Sequence, residues 1–403
     1  MIVPVEQRRI SPLIIALVAA NLRPALVSVG PVLTDIRGDL GLSGTGASLL
    51  TSLPVICLGL LAPTAPALAR RWGVERVISL VLAVLVLALL LRVTGGPAVL
   101  FAGTVIGAGS IAVANVLIPA LIKRHFAGHA GAMTGVYTMA LSGAAAVAAG
   151  ATVPIGDASG HAWRGGLVFW AFPAALALLV WTLFTWAAGR PDAPMPAAGP
   201  TVDGSLLRDR LAWQITVYFG LQSLSFYSVL SWLPSIYRDH GYSAAAAGLL
   251  LSISAFVQIP VTLVLPHFAA RSSDQRLYAV ACVVLTGLGL AGVLLAPTAA
   301  PYVWVVVLGL GQGGSFGVGL LLFSVRTRDT QATARLSAQA QTVGYLLAAA
   351  GPLLVGAVHD ATDSWTIPLA LLLFLLLPQG AFGVLAGARG FVGATGSSSG
   401  PPA

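Results

Sequence analysis

Long apolar runs alternate with short polar or basic stretches along the whole 403-residue chain. Each run is about 20 residues long, the length that an α-helix needs to cross a hydrocarbon core of about 30 Å. None has the short alternating pattern of a membrane barrel strand. The pattern predicts an all-α polytopic membrane protein with twelve transmembrane helices, at residues 10–30, 46–69, 74–93, 98–122, 130–153, 166–188, 211–237, 244–268, 277–296, 302–325, 336–358 and 365–386.

The composition agrees with a membrane location. Hydrophobic residues make up 57% of the chain and charged residues only 8%, whereas soluble domains carry about a quarter charged residues. The net charge of +8 does not indicate a nucleic-acid partner, because the basic residues flank the apolar runs. The two cysteines, Cys57 and Cys282, lie inside predicted spans and do not indicate a disulfide framework.

The distribution of basic residues predicts the orientation in the membrane. With the N-terminus inside, 16 of the 21 Lys and Arg residues fall on the cytoplasmic side, four (Arg37, Arg92, Arg164 and Arg238) fall outside, and Arg23 lies within a span. This bias predicts that both termini lie in the cytoplasm. We expect the protein to lie in the inner (plasma) membrane of the cell. We expect six-helix halves at 1–188 and 210–387, a cytoplasmic linker at 189–209, and a disordered tail at 388–403.

This plan resembles the major facilitator superfamily, in which two parallel six-helix halves are joined by a cytoplasmic linker. The loop from Ala69 to Arg76 is similar to the signature of that superfamily between its second and third helices. Arg70 stands where an aspartate is usual, so a gating role for that aspartate does not carry over.

Four further stretches resemble a narrower group, the cyanate permease and 2-nitroimidazole transporter branch of the superfamily. They are Asn21-Leu22-Arg23-Pro24 with Ser28-Val29-Gly30-Pro31, Ala114 to Pro119 followed by Lys123-Arg124, Gly309 to Gly314, and Gly344-Tyr345 running to Gly351-Pro352 and His359-Asp360. The resemblance implies transport of a small anionic or polar molecule by alternating access.

Arg23 is the strongest candidate for substrate contact. A charge near the middle of a span costs a few kcal/mol even on the mildest insertion scale, so it is seldom retained without a role. Pro24 removes a backbone donor at the next position and predicts a kink in the helix there. All thirteen carboxylates are expected in loops or at helix ends, so Arg23 has no acidic partner visible in the sequence.

Polar side chains near the middle of other spans complete the predicted site. Glutamine and asparagine at such depth either hydrogen-bond between helices or contact a ligand. Asn21 shares a cavity with Arg23 only if the kink reorients one of them, because two residues turn an ideal helix by about 200°. The predicted substrate-binding residues are Arg23, Asn21, Asn115, Tyr137, Tyr218, Gln222, Gln258, Gln312, Gln341 and Tyr345.

We find no phosphate-binding Gly-x-x-x-x-Gly-Lys, no His-Glu-x-x-His and no metal-spaced Cys/His cluster, so the sequence predicts neither an enzyme nor a cofactor. The resulting interpretation is a secondary active or facilitative transporter that lies in the lipid bilayer as a monomer, acts on a small-molecule substrate and has no nucleic-acid partner. A proton-linked multidrug exporter is the first alternative, although the fifth span has no Gly-Pro pair. A non-transporting membrane receptor is the second.

Overall fold

A computed structural model describes residues 10–126, 130–187, 206–328 and 330–392. Within these ranges the chain is helical, with no strand. The α-helices are α1 Pro12–Ala20, α2 Pro24–Val27, α3 Val29–Leu40, α4 Gly44–Leu61, α5 Ala65–Trp72, α6 Val74–Leu91, α7 Pro97–His125, α8 Ala130–Ala158, α9 Ala162–Val168, α10 Ala171–Ala187, α11 Arg210–Asp239, α12 Ala244–Ala270, α13 Arg276–Leu295, α14 Pro301–Val325, α15 Thr330–Thr362 and α16 Thr366–Gly387.

Eleven stretches of the described chain are long and apolar enough to cross a membrane. They coincide with eleven of the twelve predicted spans. At the seventh predicted span, 211–237, the structure has the 30-residue helix α11, which is longer than a bilayer requires but more polar than the other eleven. The count of twelve therefore stays a prediction.

The kink predicted at Pro24 is confirmed, as a full interruption of the first span. Turn residues Asn21–Arg23 separate α1 from α2, and Ser28 separates α2 from α3. The backbone N–H groups of Leu26 and Val27 both donate to the carbonyl of Arg23, each at 3.0 Å. Because proline has no N–H to donate, Pro24 cannot continue the hydrogen-bond ladder of α1 across the turn.

The predicted end of the first span at Gly30 is wrong. The helical segment continues through α3 to Leu40, and Gly41 ends it in the left-handed conformation with φ of 63°. Asp35, Arg37 and Asp39 therefore lie on a helix instead of in a loop. Asp35 lies well inside α3, which corrects the expectation that every carboxylate falls in a loop or at a helix end.

The chain divides into two compact units. The first comprises Met1–Pro196 with Leu230–Phe256, and the second comprises Ala197–Val229 with Val257–Ala403. Both boundaries within the described chain fall inside helices, in α11 and α12. The predicted linker at 189–209 and tail at 388–403 lie largely outside the described residues, so the predicted division into six-helix halves stays a prediction.

Within the first unit, α3 packs closely on the residues of α11 that belong to the same unit. A Cβ added to Gly30 would lie 2.6 Å from the carbonyl oxygen of Leu230, so only glycine fits there. Arg238 Nη2 donates to Asp35 Oδ1 at 2.8 Å, and Thr34 Oγ1 and Ser235 Oγ are 3.3 Å apart. These contacts fix α3, which is the C-terminal part of the interrupted first span.

Within the second unit, the glycines of α14 permit close helix contact. A Cβ at Gly313 would meet Gln258 Cα at 2.8 Å, and a Cβ at Gly317 would meet Pro266 Cγ at 2.9 Å. Small residues let helix backbones approach in a membrane, where dispersion contacts replace the hydrophobic effect as the driving force. The glycine-rich stretch of α14 thus serves packing against α12.

Candidate substrate site

Three predicted site residues come together in the first unit, and we call them the Arg23 cluster: Arg23, Asn115 and Tyr137. Arg23 lies in the turn between α1 and α2, Asn115 on α7 and Tyr137 on α8. The Tyr137 hydroxyl donates to Asn115 Oδ1 at 3.2 Å, and the Arg23 guanidinium is near enough to interact electrostatically with Tyr137. All three side chains are partly exposed.

Each member of the Arg23 cluster is held in place by its own segment. The interruption of the first span carries Arg23, whereas α7 and α8 continue through 29 residues each. The cluster therefore combines one positive charge, one amide and one phenol on a frame of two long helices. A guanidinium and a phenolic hydroxyl are both donors, which suits a ligand with acceptor oxygens or nitrogens.

Asn21 is not part of this cluster. Its Nδ2 donates to the carbonyl of Leu17 at 2.8 Å, one turn earlier on α1, and only 4% of its surface is exposed. The side chain closes the end of its own helix, so the structure gives it a local bond in place of a contact with Arg23.

The sequence did not single out Arg92, which the structure places next to the interrupted span. The residue follows α6 directly and was predicted to lie in an outer loop, but it is only 2% exposed. Its Nη1 donates to the carbonyl of Ala25 at 2.8 Å, and its Nη2 lies 3.4 Å from Ser28 Oγ and 3.2 Å from the carbonyl of Leu167. Its position in the turn between α6 and α7 agrees with the predicted loop, whereas its burial was not expected.

The remaining arginines of the predicted outer set also have structural contacts. Arg164 pairs with Asp39 at 2.5 Å and Arg238 pairs with Asp35 at 2.8 Å, while Arg37 lies on α3. The sequence signal for these pairs is weak, because the partners are separated by more than 100 residues.

The second unit holds a different group of polar side chains, the Gln312 cluster: Tyr218, Ser225, Gln312 and Ser315. Gln312 Nε2 lies 3.5 Å from Ser225 Oγ, and the Tyr218 hydroxyl donates to the carbonyl of Ser315 at 3.3 Å. Every member is at most 4% exposed. Gln312 Oε1 and Ser315 Oγ have no hydrogen-bond partner among the described residues.

Four other predicted site residues lie in the second unit with separate contacts. Gln222 Oε1 accepts from Ser223 Oγ at 3.2 Å, and Gln341 Nε2 donates to Ser337 Oγ at 2.8 Å. Gln258 is partly exposed and its backbone faces Gly313. The ring of Tyr345 packs edge-on against Phe219 and Tyr227, with centroids 5.8 and 6.2 Å away.

The described residues contain no group of three or more His, Cys, Asp or Glu side chains that could hold a metal ion. Cys57 and Cys282 are free thiols and both are buried.

Comparison with known proteins identifies the family. The sequence pattern of the Major Facilitator Superfamily matches residues 14–352. The chain belongs to the major facilitator superfamily. It is therefore an all-helical membrane transporter of that fold, and the family resemblance of its signature loop is confirmed. In that loop, Gly73 has a φ of 82° and separates α5 from α6.

The resemblance to the narrower branch is also confirmed. The chain is 35% identical over 373 residues to the 2-nitroimidazole transporter of Escherichia coli, covering 93% of this chain and 94% of that protein. It is 30% identical to the cyanate transport protein CynX of the same organism, covering 88% and 91%. An uncharacterized transporter of Bacillus subtilis, YycB, is 38% identical, covering 93% and 92%.

Solved structures support the fold alone. An inward-facing, occupied bacterial homologue of the human lysosomal transporter Spinster matches with a TM-score of 0.80 at 14% identity, covering 93% of this chain and 96% of that one. A D-xylose–proton symporter matches with a TM-score of 0.70 at 16% identity, covering 93% and 95%.

Proposed function

We propose that this transporter carries a small anion, or a polar compound with an anion-like group, and binds it at the Arg23 cluster. The observation that carries the proposal is the placement of Arg23 at an interruption of the first span, partly exposed and within electrostatic range of Tyr137. A charge at such depth is expensive, and a ligand of opposite charge offsets that cost whenever it binds.

The donors of the Arg23 cluster favour acceptor groups such as cyanate, nitro or carboxylate. Charge-assisted hydrogen bonds from a guanidinium are about twice as strong as neutral ones, so Arg23 would supply most of the affinity. The Tyr137 hydroxyl would add a second donor after rotating away from Asn115, and the Asn115 amide would orient the ligand. The names of two relatives, a 2-nitroimidazole transporter and a cyanate transport protein, fit this chemistry.

The wider proposal follows the family plan. Twelve spans with both termini in the cytoplasm, an inner-membrane location, a monomeric unit and alternating access together account for the basic-residue bias and the family membership. Arg23 is the one basic residue near the middle of a predicted span, and Asp35, a carboxylate that the structure places inside α3, is paired with Arg238. We therefore propose anion exchange, uniport, or symport of a proton on the substrate itself.

We assign the polar residues of the second unit a smaller contribution to ligand binding than that of Arg23. Gln312, Gln222, Gln258, Gln341, Tyr218 and Tyr345 supply neutral hydrogen bonding, and Asn21 supports its own helix.

The test uses purified protein in proteoliposomes with radiolabelled cyanate or 2-nitroimidazole, in competition with nitrate, short carboxylates and bulky cationic drugs. We expect competition by small anions and at least a 100-fold loss of transport efficiency in Arg23→Gln. The Arg208→Gln variant removes the same charge from an exposed position and serves as the matched control. If cationic drugs compete and anions do not, the proposal is wrong and a drug exporter explains the chain better.

A further inference from the structure

Arg92 is a buried cation whose guanidinium contacts the interrupted first span. It is 2% exposed, and no described carboxylate lies within ion-pair distance of it. A charge that is buried without an acidic partner is costly, so its hydrogen bonds must compensate. Those bonds go to the carbonyl of Ala25, on α2, and to the hydroxyl of Ser28, the residue that interrupts the span between α2 and α3.

The same guanidinium also reaches a second irregular segment. Its Nη2 contacts the carbonyl of Leu167 at 3.2 Å, within α9, close to where that helix ends before α10. The fork of arginine can serve these acceptors together because its donors lie in one fixed plane, whereas a lysine ammonium is a single point on a flexible stem. Arg92 therefore ties α2 and its following turn to α9.

Space for the Arg92 side chain comes from Gly103 on α7. A Cβ at Gly103 would lie 2.7 Å from Arg92 Cβ and 2.9 Å from the carbonyl of Ala88. Any larger residue at that position would push the arginine stem away from the interrupted span.

We propose that Arg92 is a positioning residue for the Arg23 cluster. It fixes α2, a helix of only four residues that begins directly after Arg23, and so sets the direction in which the Arg23 side chain extends. It does not touch the substrate. The inference rests on the proposed function at one point, namely that Arg23 binds the substrate.

A matched control exists in the second unit. Arg326 also follows a membrane helix directly and is only 4% exposed, and it donates to the carbonyl of Ala386 at 3.1 Å, to that of Gly387 at 2.7 Å, and to Gln275. It has the same type of backbone contact but lies in the unit that does not contain Arg23. A purely structural role for Arg92 predicts the same outcome for both variants.

The first measurement is the affinity of the folded fraction for cyanate and 2-nitroimidazole, in detergent after size exclusion. Arg92→Gln should raise Kd at least tenfold, Arg92→Lys should raise it by a smaller factor, and Arg326→Gln should leave it unchanged although it also lowers thermal stability. If Arg92→Gln fails to fold, Gly103→Ala displaces the same side chain and should raise Kd about threefold. An unchanged Kd in the folded variants would overturn the inference.

The second measurement needs no substrate. The rate at which a polar methanethiosulfonate reagent modifies an Arg23→Cys thiol, forming a mixed disulfide and releasing methanesulfinate, reports the surroundings of position 23, and the native cysteines are both buried. Adding Arg92→Gln should change this rate at least threefold, and adding Arg326→Gln should not. Equal rates in all three proteins would contradict positioning. If the wild type binds neither ligand, the proposed function fails, and the thiol-modification rates still decide the role of Arg92.

Discussion

The Arg23 cluster of the first unit and the Gln312 cluster of the second are both polar groups inside apolar helices, but they are built differently. The first has a charge, partial exposure and an interrupted helix. The second is neutral, fully buried and carried by the continuous helices α11 and α14. In these two clusters the charged side chain lies at irregular backbone, whereas the amides and hydroxyls lie on unbroken helices.

A carboxylate placed in each cluster gives the largest expected contrast. Gln312→Glu adds a charge to a residue that is 2% exposed and whose side chain contacts Ser225 Oγ, which should cost about 3–5 kcal/mol of stability or force protonation of the new group. Asn115→Asp lies in a cluster that already contains Arg23, so it should fold with a loss of about 1 kcal/mol or less and bind anions at least tenfold more weakly. Chemical denaturation and ligand titration measure the two effects. Equal destabilisation would show that the clusters do not differ in charge.

Glycine replacements compare a closely packed position on α14 of the second unit with an open position on α8 of the first. Gly313→Ala puts a Cβ 2.8 Å from Gln258 Cα and 2.9 Å from its carbonyl oxygen, so we expect a loss of about 1–3 kcal/mol. Gly143→Ala on α8 has open space around the new Cβ and should be neutral or stabilising by up to about 1 kcal/mol. Thermal unfolding of both variants checks this, and a stable Gly313→Ala variant would contradict the packing role of α14.

Restoring a backbone donor tests the interrupted helix. Pro24→Ala allows α1 to continue through Arg23, which should raise the free energy of unfolding slightly while weakening anion binding about tenfold, or about 1.4 kcal/mol. We expect the free energy of unfolding to rise while the affinity for anions falls. If affinity is retained, the interruption does not position Arg23.

The smallest expected effect distinguishes the two tyrosines. Tyr137→Phe removes the hydroxyl beside Arg23 and should weaken anion binding by a factor of about three to ten, equivalent to about 0.5–1.5 kcal/mol. Tyr218→Phe removes a bond of similar size to the carbonyl of Ser315 and should lower stability alone. Isothermal titration of both variants measures the difference, and a loss of affinity in Tyr218→Phe would extend the site into the Gln312 cluster.

The helical spans were predictable because apolar length is a local property of the sequence. The kink was also predictable, since Pro24 directly follows Arg23 and acts on its own turn. Even the 30 residues of α11 agree with the predicted span to within two residues at each end.

The contacts of the long-range arginines could not be predicted in the same way. The loop position of Arg92 was predictable because it follows an apolar run, but its burial was not, since its acceptors at Ala25 and Leu167 lie 67 and 75 residues away. Every residue has a backbone carbonyl, so residue identity does not show which carbonyl accepts a hydrogen bond. The continuation of α3 past Gly30 was missed for a related reason: Asp35, Arg37 and Asp39 read as a polar loop, and the arginines that pair with Asp35 and Asp39 come from distant helices.

The most direct test of the account is ligand-induced stabilisation of wild type, Arg23→Gln and Arg208→Gln by cyanate and 2-nitroimidazole. A ligand that binds only the folded state at 100 times its Kd stabilises by about 2.7 kcal/mol. We predict that stabilisation in wild type and Arg208→Gln and its absence in Arg23→Gln. Equal stabilisation of all three proteins would show that the anion binds elsewhere and that Arg23 serves the structure of the first span alone.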